Sequence, residues 1–166
     1  MNNYNSILPN DVSNGEGVCV SLFVQGCHFH CEGCFNPETW NFNEGTPYGD
    51  KTKWEIIKLI GANGIQRNFS VLGGEPLALE NLEMTAEIVQ AVRQAYPNIT
   101  IYLWTGYTLE ILKGLQSPAL DTVLNTINYL IDGPFILEQK SLDLKWRGSS
   151  NQHIWKRQDN NWILIE

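Results

Sequence analysis

Short apolar runs alternate with amphipathic segments along the chain, and this alternation indicates an α/β fold. Apolar runs rich in β-branched or aromatic residues predict strands at 18–24, 69–72, 99–104 and 129–131. Apolar residues spaced three and four apart predict helices over about 53–63, 82–96, 109–115 and 120–127. Strands separated by helices favour right-handed crossovers, so the sheet is expected to be mostly parallel.

Two local signals refine the ends of these elements. Thr52 and Glu55 form a predicted capping box at the start of the first helix. Near the end of the chain, segments 153–157 and 162–165 flank a polar turn and predict a β-hairpin. The chain is shorter than a closed eight-fold barrel, which needs about 250 residues. The expected fold is therefore a partial, open (β/α) barrel with a mostly parallel sheet and a C-terminal β-hairpin.

The composition narrows the classes of function. The chain has 166 residues, of which 43% are hydrophobic, so residues 1–166 are expected to form a single domain around one core. The formal net charge of −7 disfavours nucleic acid as a partner. No segment has the apolar length of a membrane span, and residues 1–10 lack the features of a secretory signal. Cysteines clustered for metal binding then favour a reducing cytoplasm.

The strongest chemical signal is a cysteine loop. Cys27, Cys31 and Cys34 are three of the four cysteines and have the spacing C-x3-C-x2-C. Thiolates on one tight loop can converge on a single metal centre, whereas disulfides between cysteines this close are strained. A 4Fe-4S cluster normally takes four cysteine ligands, so a loop with three leaves one iron open to another molecule. An open coordination position is typical of a reactive centre.

Zinc is the alternative metal for this loop. It binds clustered cysteines as well, and His28, His30 or Cys19 could complete a tetrahedral site. Cys19 lies in the first predicted strand, where a free cysteine is expected to be a buried core residue. The two histidines are expected to lie at the loop surface or to support the ligands, because iron in such clusters prefers thiolate.

Four unusual loops follow the four predicted strands, and parallel strands would bring them to one edge of the sheet. They are the cysteine loop, Gly73-Gly74-Glu75-Pro76, Thr105-Gly106-Tyr107 and Asp132-Gly133-Pro134. The paired glycines would let backbone carbonyls approach a ligand, because no side chain blocks the way. Glu75 is expected to accept a hydrogen bond from a ligand ammonium group. An ordinary turn is the alternative, but the neighbouring metal loop favours a binding site.

The order of these motifs resembles that of the radical S-adenosylmethionine superfamily. The C-x3-C-x2-C loop after a first strand and Gly-Gly-Glu-Pro after a second strand carry this resemblance. Within the superfamily, the branch of activases for anaerobic ribonucleotide reductases is the most similar, over about residues 11–153. The segments with the finer match are 17–19, 31–36, 39–40, 104–107, 131–135 and above all Trp146-Arg147-Gly148-Ser149-Ser150-Asn151-Gln152.

The resemblance implies a 4Fe-4S cluster on Cys27, Cys31 and Cys34, with S-adenosylmethionine chelating the fourth iron through its amino and carboxylate groups. Reductive cleavage would give a 5'-deoxyadenosyl radical. That radical would take hydrogen from a glycine of the anaerobic ribonucleoside-triphosphate reductase. No catalytic residue beyond the cluster ligands is implied. The implied cofactor-binding residues are Gly33, Cys34, Phe35, Gly73, Gly74, Glu75 and Thr105.

The resemblance also implies a reduced flavodoxin-like electron donor, and it leaves alternatives. Other small glycyl-radical activases and a deazaguanine-forming carbocyclisation enzyme have similar metal loops, although segment 146–152 disfavours both. A zinc-stabilised interaction domain is the non-enzymatic alternative. Arg147 could bind a carboxylate or the partner. Equally, it could belong to a satisfied loop network with Ser149, Asn151 and Gln152.

Overall fold

The computed structural model describes residues 2–166, and within them one sheet carries helices in its connections. The eight strands are β1 (Asn3–Asp11), β2 (Cys19–Val24), β3 (Thr46–Pro47), β4 (Asn68–Gly73), β5 (Ile101–Trp104), β6 (Tyr129–Asp132), β7 (His153–Gln158) and β8 (Asn161–Leu164). The four α-helices are α1 (Asp50–Ile60), α2 (Leu79–Ala95), α3 (Leu109–Lys113) and α4 (Pro118–Thr126). None of the helices in the described residues is both long enough and apolar enough to cross a membrane.

The sheet is open and mixed. Its strand order is β3-β1-β2-β4-β5-β6-β7-β8, with β3 and β8 at the two edges. The central pairs β2–β4, β4–β5 and β5–β6 are parallel, and the helices lie in the crossovers between these strands. The outer pairs are antiparallel. The open α/β sheet and the terminal hairpin of β7 and β8 are as predicted. The prediction of a mostly parallel sheet is wrong, because antiparallel strand pairs outnumber parallel ones.

The error comes from the outer strands. β1 was not predicted, because its residues are half-buried or exposed along most of its length and form no apolar run. β7 pairs antiparallel with β6, for example through Ile131 and Ile154, and β8 pairs antiparallel with β7. Antiparallel strands can follow one another without a helical crossover, so the helix count gave no sign of them.

The core lies between the parallel strands and the helices. Val20, Leu22 and Val24 of β2 are fully buried, and so are Phe69 and Val71 of β4. Alternate residues of these strands point to opposite faces of the sheet, yet nearly all are buried, as expected for strands in the middle of a sheet. The helices add their own fully buried residues to this core: Ile56, Ile60, Ile88, Val89, Val92 and Val123.

The first helix begins earlier than predicted. Its N-cap is Gly49, and Thr52 is the third helical residue rather than the cap. The Thr52 hydroxyl accepts a hydrogen bond from the Gly49 backbone N–H at 3.3 Å, so it fills the reciprocal half of a capping box. Glu55 is exposed and lies one turn further on. The predicted capping box does mark the start of a helix, but the observed N-cap lies three residues before the predicted one.

The segment 133–152 between β6 and β7 forms a loop, called the roof loop below, that packs over the strand ends. Its Ser149 is fully buried, and the Ser149 hydroxyl accepts a hydrogen bond from Ile136 N–H at 3.1 Å. The Gln152 side-chain oxygen accepts from Gly148 N–H at 2.8 Å, and its amide donates to Gly133 O at 2.9 Å. These bonds show that the polar residues of segment 146–152 largely build the loop itself.

Candidate active site

A cavity of about 510 Å³ lies at the carboxyl ends of the parallel strands, beneath the roof loop. Parallel strands end at the same edge of a sheet, and for that reason the loops that follow β2, β4, β5 and β6 meet here. Among the predicted site residues, those that line the cavity are Cys27, Cys31, Cys34, Phe35, Gly73, Gly74, Glu75 and Thr105. Gly33 does not line the cavity.

Three thiols therefore share one cavity. Cys27, Cys31 and Cys34 are all free cysteines of intermediate burial. Burial raises the pKa of the Cys27 thiol and of the Cys31 thiol. Within residues 2–166, no three His, Cys, Asp or Glu side chains already stand together as a metal site. The donor set suits a soft metal centre, and its thiols line the cavity without being gathered at one point.

The cysteine loop is held at its base and turned by a glycine. The backbone N–H of Cys27 donates to Trp40 O at 3.1 Å, which fixes the start of the loop. Gly33 has φ +76, a left-handed conformation, and a Cβ atom there would lie 2.7 Å from Leu137 Cδ1 of the roof loop. Gly33 was predicted to contact a cofactor; in the structure it packs the cysteine loop under the roof loop.

The glycine pair brings two backbones into contact. A Cβ at Gly73 would lie 2.7 Å from Phe23 Cα, and one at Gly74 would lie 2.5 Å from Gly26 O. The backbone N–H of Gly74 donates to Val24 O at 2.9 Å, and that of Glu75 donates to Gly26 O at 2.8 Å. The end of β4 is thus fastened to the residue that precedes Cys27.

Glu75 joins the ends of β4 and β5. Its side chain is 2% exposed. Oε1 accepts hydrogen bonds from Leu77 N–H at 2.9 Å and Thr105 Oγ1 at 2.7 Å, and Oε2 accepts from Gly106 N–H at 2.7 Å. Burial raises the pKa of Glu75 to about 7, although these three donors favour the charged form. Both carboxylate oxygens already have partners, and a carboxylate has room for about one more.

Asn81 is a site residue that the sequence reading missed. It lies in α2 and is 1% exposed. Its side-chain amide donates to Gln25 O at 3.1 Å and Glu75 O at 3.1 Å, and more weakly to Gly26 O at 3.4 Å. It therefore connects the start of the cysteine loop to the glycine motif. The available signal was its spacing, because Asn81 precedes the buried Thr85 and Ile88 by four and seven residues.

The remaining candidates lie around this centre. His28 Nε2 contacts Glu80 Oε2 at 2.6 Å, and the His30 ring stacks on Trp40 with centroids 4.5 Å apart. Neither histidine belongs to the cavity wall. Arg147 does, and its guanidinium also faces Gln152 O at 3.4 Å. Cys19 is fully buried, in agreement with the prediction that it is a core residue.

Comparison with known proteins decides the family. A family model described as a 4Fe-4S single cluster domain matches residues 13–155. Three relatives carry the name anaerobic ribonucleoside-triphosphate reductase-activating protein. The one from Escherichia coli (strain K12) is 39% identical, over 92% of this chain and 97% of its own length. This chain belongs to the family of anaerobic ribonucleoside-triphosphate reductase-activating proteins.

The other two relatives come from another bacterium and from a bacteriophage. The activating protein of Vibrio cholerae is 40% identical over 92% of this chain and 96% of its own length. That of Enterobacteria phage T4 is 38% identical over 96% of this chain and 97% of its own length. Membership of the activating-protein family confirms the predicted resemblance. It also favours an iron-sulfur centre over the zinc alternative at the cysteine loop.

Proposed function

We propose that this chain is a glycyl-radical activase that acts on the anaerobic ribonucleoside-triphosphate reductase. One observation carries the proposal: three free cysteines line the same cavity as the Gly73–Glu75 segment and Thr105, in a member of the activating-protein family. Four protein thiolates would occupy all four irons of a 4Fe-4S cluster, whereas three leave one iron free to bind a small molecule.

Cys27, Cys31 and Cys34 would hold the 4Fe-4S cluster, and the rest of the cavity would receive S-adenosylmethionine. The donor set fits, because all three thiols are free and face one cavity of about 510 Å³. When bound and reduced by one electron from a donor protein, the cluster would supply that electron for the cleavage of S-adenosylmethionine to methionine and a 5'-deoxyadenosyl radical, which would take a hydrogen atom from a glycine of the reductase.

The residues of the chain position these groups. Gly73 and Gly74 line the cavity, and their backbone would receive the ammonium group of S-adenosylmethionine. The neighbouring Glu75 carboxylate has room to accept one more hydrogen bond from that group. Thr105 holds the Glu75 carboxylate through its hydroxyl at 2.7 Å. Phe35 lies in the cavity wall and is 53% exposed, so its ring offers a face for the adenine.

The roof loop has the task of excluding water. Trp146, Arg147 and Gly148 line the cavity from above, and the Trp104 indole N–H donates to Trp146 O at 2.8 Å, which holds the loop against β5. A reactive carbon radical attacks the nearest C–H bond, so its target must be fixed by binding geometry.

The same proposal includes a reduced flavodoxin-like electron donor and a cytoplasmic location. It also includes a partial-barrel curvature of the sheet and a single domain over residues 1–166.

The test is an anaerobic incubation of the iron-loaded protein with reductant, S-adenosylmethionine and the reductase. We expect a glycyl radical signal in electron paramagnetic resonance and release of methionine. The Cys34→Ala variant is the control and should give neither. A colourless protein with about one zinc per chain, in place of a brown protein with about four irons, would contradict the proposal.

A further inference from the structure

The roof loop that covers the cavity carries more basic than acidic residues, in an otherwise acidic chain. The formal net charge is −7, from 11 Lys and Arg against 18 Asp and Glu. The roof loop, residues 133–152, holds three of those basic residues, Lys140, Lys145 and Arg147, against two of the acidic ones, Glu138 and Asp143. The roof loop is therefore net positive within a chain that is net negative.

Two lysines and two apolar side chains lie at the mouth of the cavity. Phe35 and Leu142 both line the cavity, yet they are 53% and 84% exposed. Lys140 Nζ lies 5.2 Å from the centroid of the Phe35 ring. Lys145 Nζ lies 4.4 Å from the ring of Trp146, which also lines the cavity. We call Phe35, Lys140, Leu142 and Lys145 the basic rim.

The rim charges are largely free of partners within the protein. In the described part of the chain, Lys140 makes no ion pair, and Lys145 meets only the exposed Glu16 at 3.9 Å. An exposed pair at that distance adds little stability. Both side chains are exposed, so a partner could reach them without breaking the fold. Exposed apolar side chains beside a ligand cavity can serve as contact residues once a partner covers them.

We infer that the basic rim is the docking surface for the reductase and that it binds an acidic surface segment beside the radical-bearing glycine. The inference rests on the proposed function. Hydrogen transfer requires the target glycine to reach the cavity, so the polypeptide around it must cross the mouth that the rim borders. Because the remainder of the chain is strongly acidic, an acidic partner is repelled elsewhere and attracted here. Charge thus sets the orientation of the reductase, while the exposed side chain of Leu142 provides apolar contact.

The experiment compares two double charge reversals of equal size. Lys140→Glu/Lys145→Glu changes the rim, and Lys51→Glu/Lys58→Glu is the matched control on exposed positions of α1. Iron-loaded proteins are titrated anaerobically with the intact reductase at low and at high ionic strength. Glycyl radical yield at limiting reductase and cleavage of S-adenosylmethionine without reductase are measured on the same samples.

We expect the rim variant to bind the reductase about tenfold more weakly and to lose most of the salt dependence of binding. Radical yield should fall with binding, cleavage without reductase should be unchanged, and the α1 variant should behave as the unmodified protein. Equal affinity of the two variants would overturn the inference. So would slower reduction by the electron donor with unaltered reductase binding, because the rim would then serve the donor. Absence of any glycyl radical with the unmodified protein would instead refute the proposed function, and the docking inference with it.

Discussion

Replacement of Asn81 gives a sharp test of how the candidate site is held together. The side-chain amide of this residue faces three backbone carbonyls at 3.1, 3.1 and 3.4 Å and is almost fully buried. Asn81→Asp keeps the shape and exchanges the donor for an acceptor. Asn81→Ala removes the donor and leaves a small cavity. The two variants therefore separate loss of a hydrogen bond from electrostatic repulsion.

The expected magnitudes follow from the partners of each carbonyl. Gly26 O also accepts from Glu75 N–H, and Glu75 O also accepts from Ala78 N–H, so both keep a bond in the alanine variant. We expect Asn81→Ala to lower the free energy of unfolding by about 2 kcal/mol. In Asn81→Asp a buried carboxylate would face carbonyl oxygens, and we expect a loss of about 4 kcal/mol above neutral pH.

The assay is urea unfolding of the cluster-free protein under reducing conditions at several pH values. The aspartate variant should recover part of its stability as pH falls, because a protonated carboxyl group can donate to one carbonyl. Asn98→Asp is the matched control at an exposed position, and it should stay within about 0.5 kcal/mol of the unmodified protein. An aspartate variant as stable as the alanine variant at every pH would refute this account of Asn81.

Three further predictions concern the same edge of the sheet. Gly74→Ala should cost about 3 kcal/mol in urea unfolding, because its Cβ would lie 2.5 Å from the backbone oxygen Gly26 O. For Glu75, the pKa is raised from 4.5 to about 7, so the folded state holds a proton that the unfolded state releases. The contribution of Glu75 to the free energy of unfolding should fall by about 3 kcal/mol as pH rises from 4.5 to about 7. Glu75→Gln should remove this pH dependence when unfolding is measured at several pH values. Gly33→Ala should lower the thermal midpoint, and adding Leu137→Ala should restore part of it by relieving a 2.7 Å contact, as scanning calorimetry would reveal.

The parallel centre of the fold was predictable because each of its strands is buried on both faces. β2, β4, β5 and β6 carry nearly continuous apolar runs, and the observed bounds differ from the predicted ones by about two residues or fewer. β1 was not predictable in this way, since a strand beside the edge presents polar residues such as Asn5 and Ser6. Its place is set by pairing with β2, which only the folded chain reveals.

The same distinction applies to the site. Cys27 and Gly73 could be placed together from the sequence, because loops after parallel strands meet at one edge. The hydrogen bonds of Asn81 could not be predicted, since they depend on how α2 packs against the backbone at Gln25 and at Glu75. The contact of Gly33 with Leu137 likewise joins residues about a hundred positions apart. Strand order fixes which loops meet, and side-chain packing decides what each residue does there.

The burial of Cys27 and Cys31 has a consequence for handling and loading the protein. An ordinary cysteine is already mostly protonated at neutral pH, and burial raises the pKa of these two thiols further, so the cluster-free protein holds even less of their thiolate form. Thiolate, not thiol, reacts with oxidants, so these two sulfurs should tolerate brief exposure to air better than an exposed cysteine. Iron binds only the deprotonated form, and cluster insertion must therefore release acid into the medium. Reconstitution should accordingly proceed faster in mildly alkaline buffer.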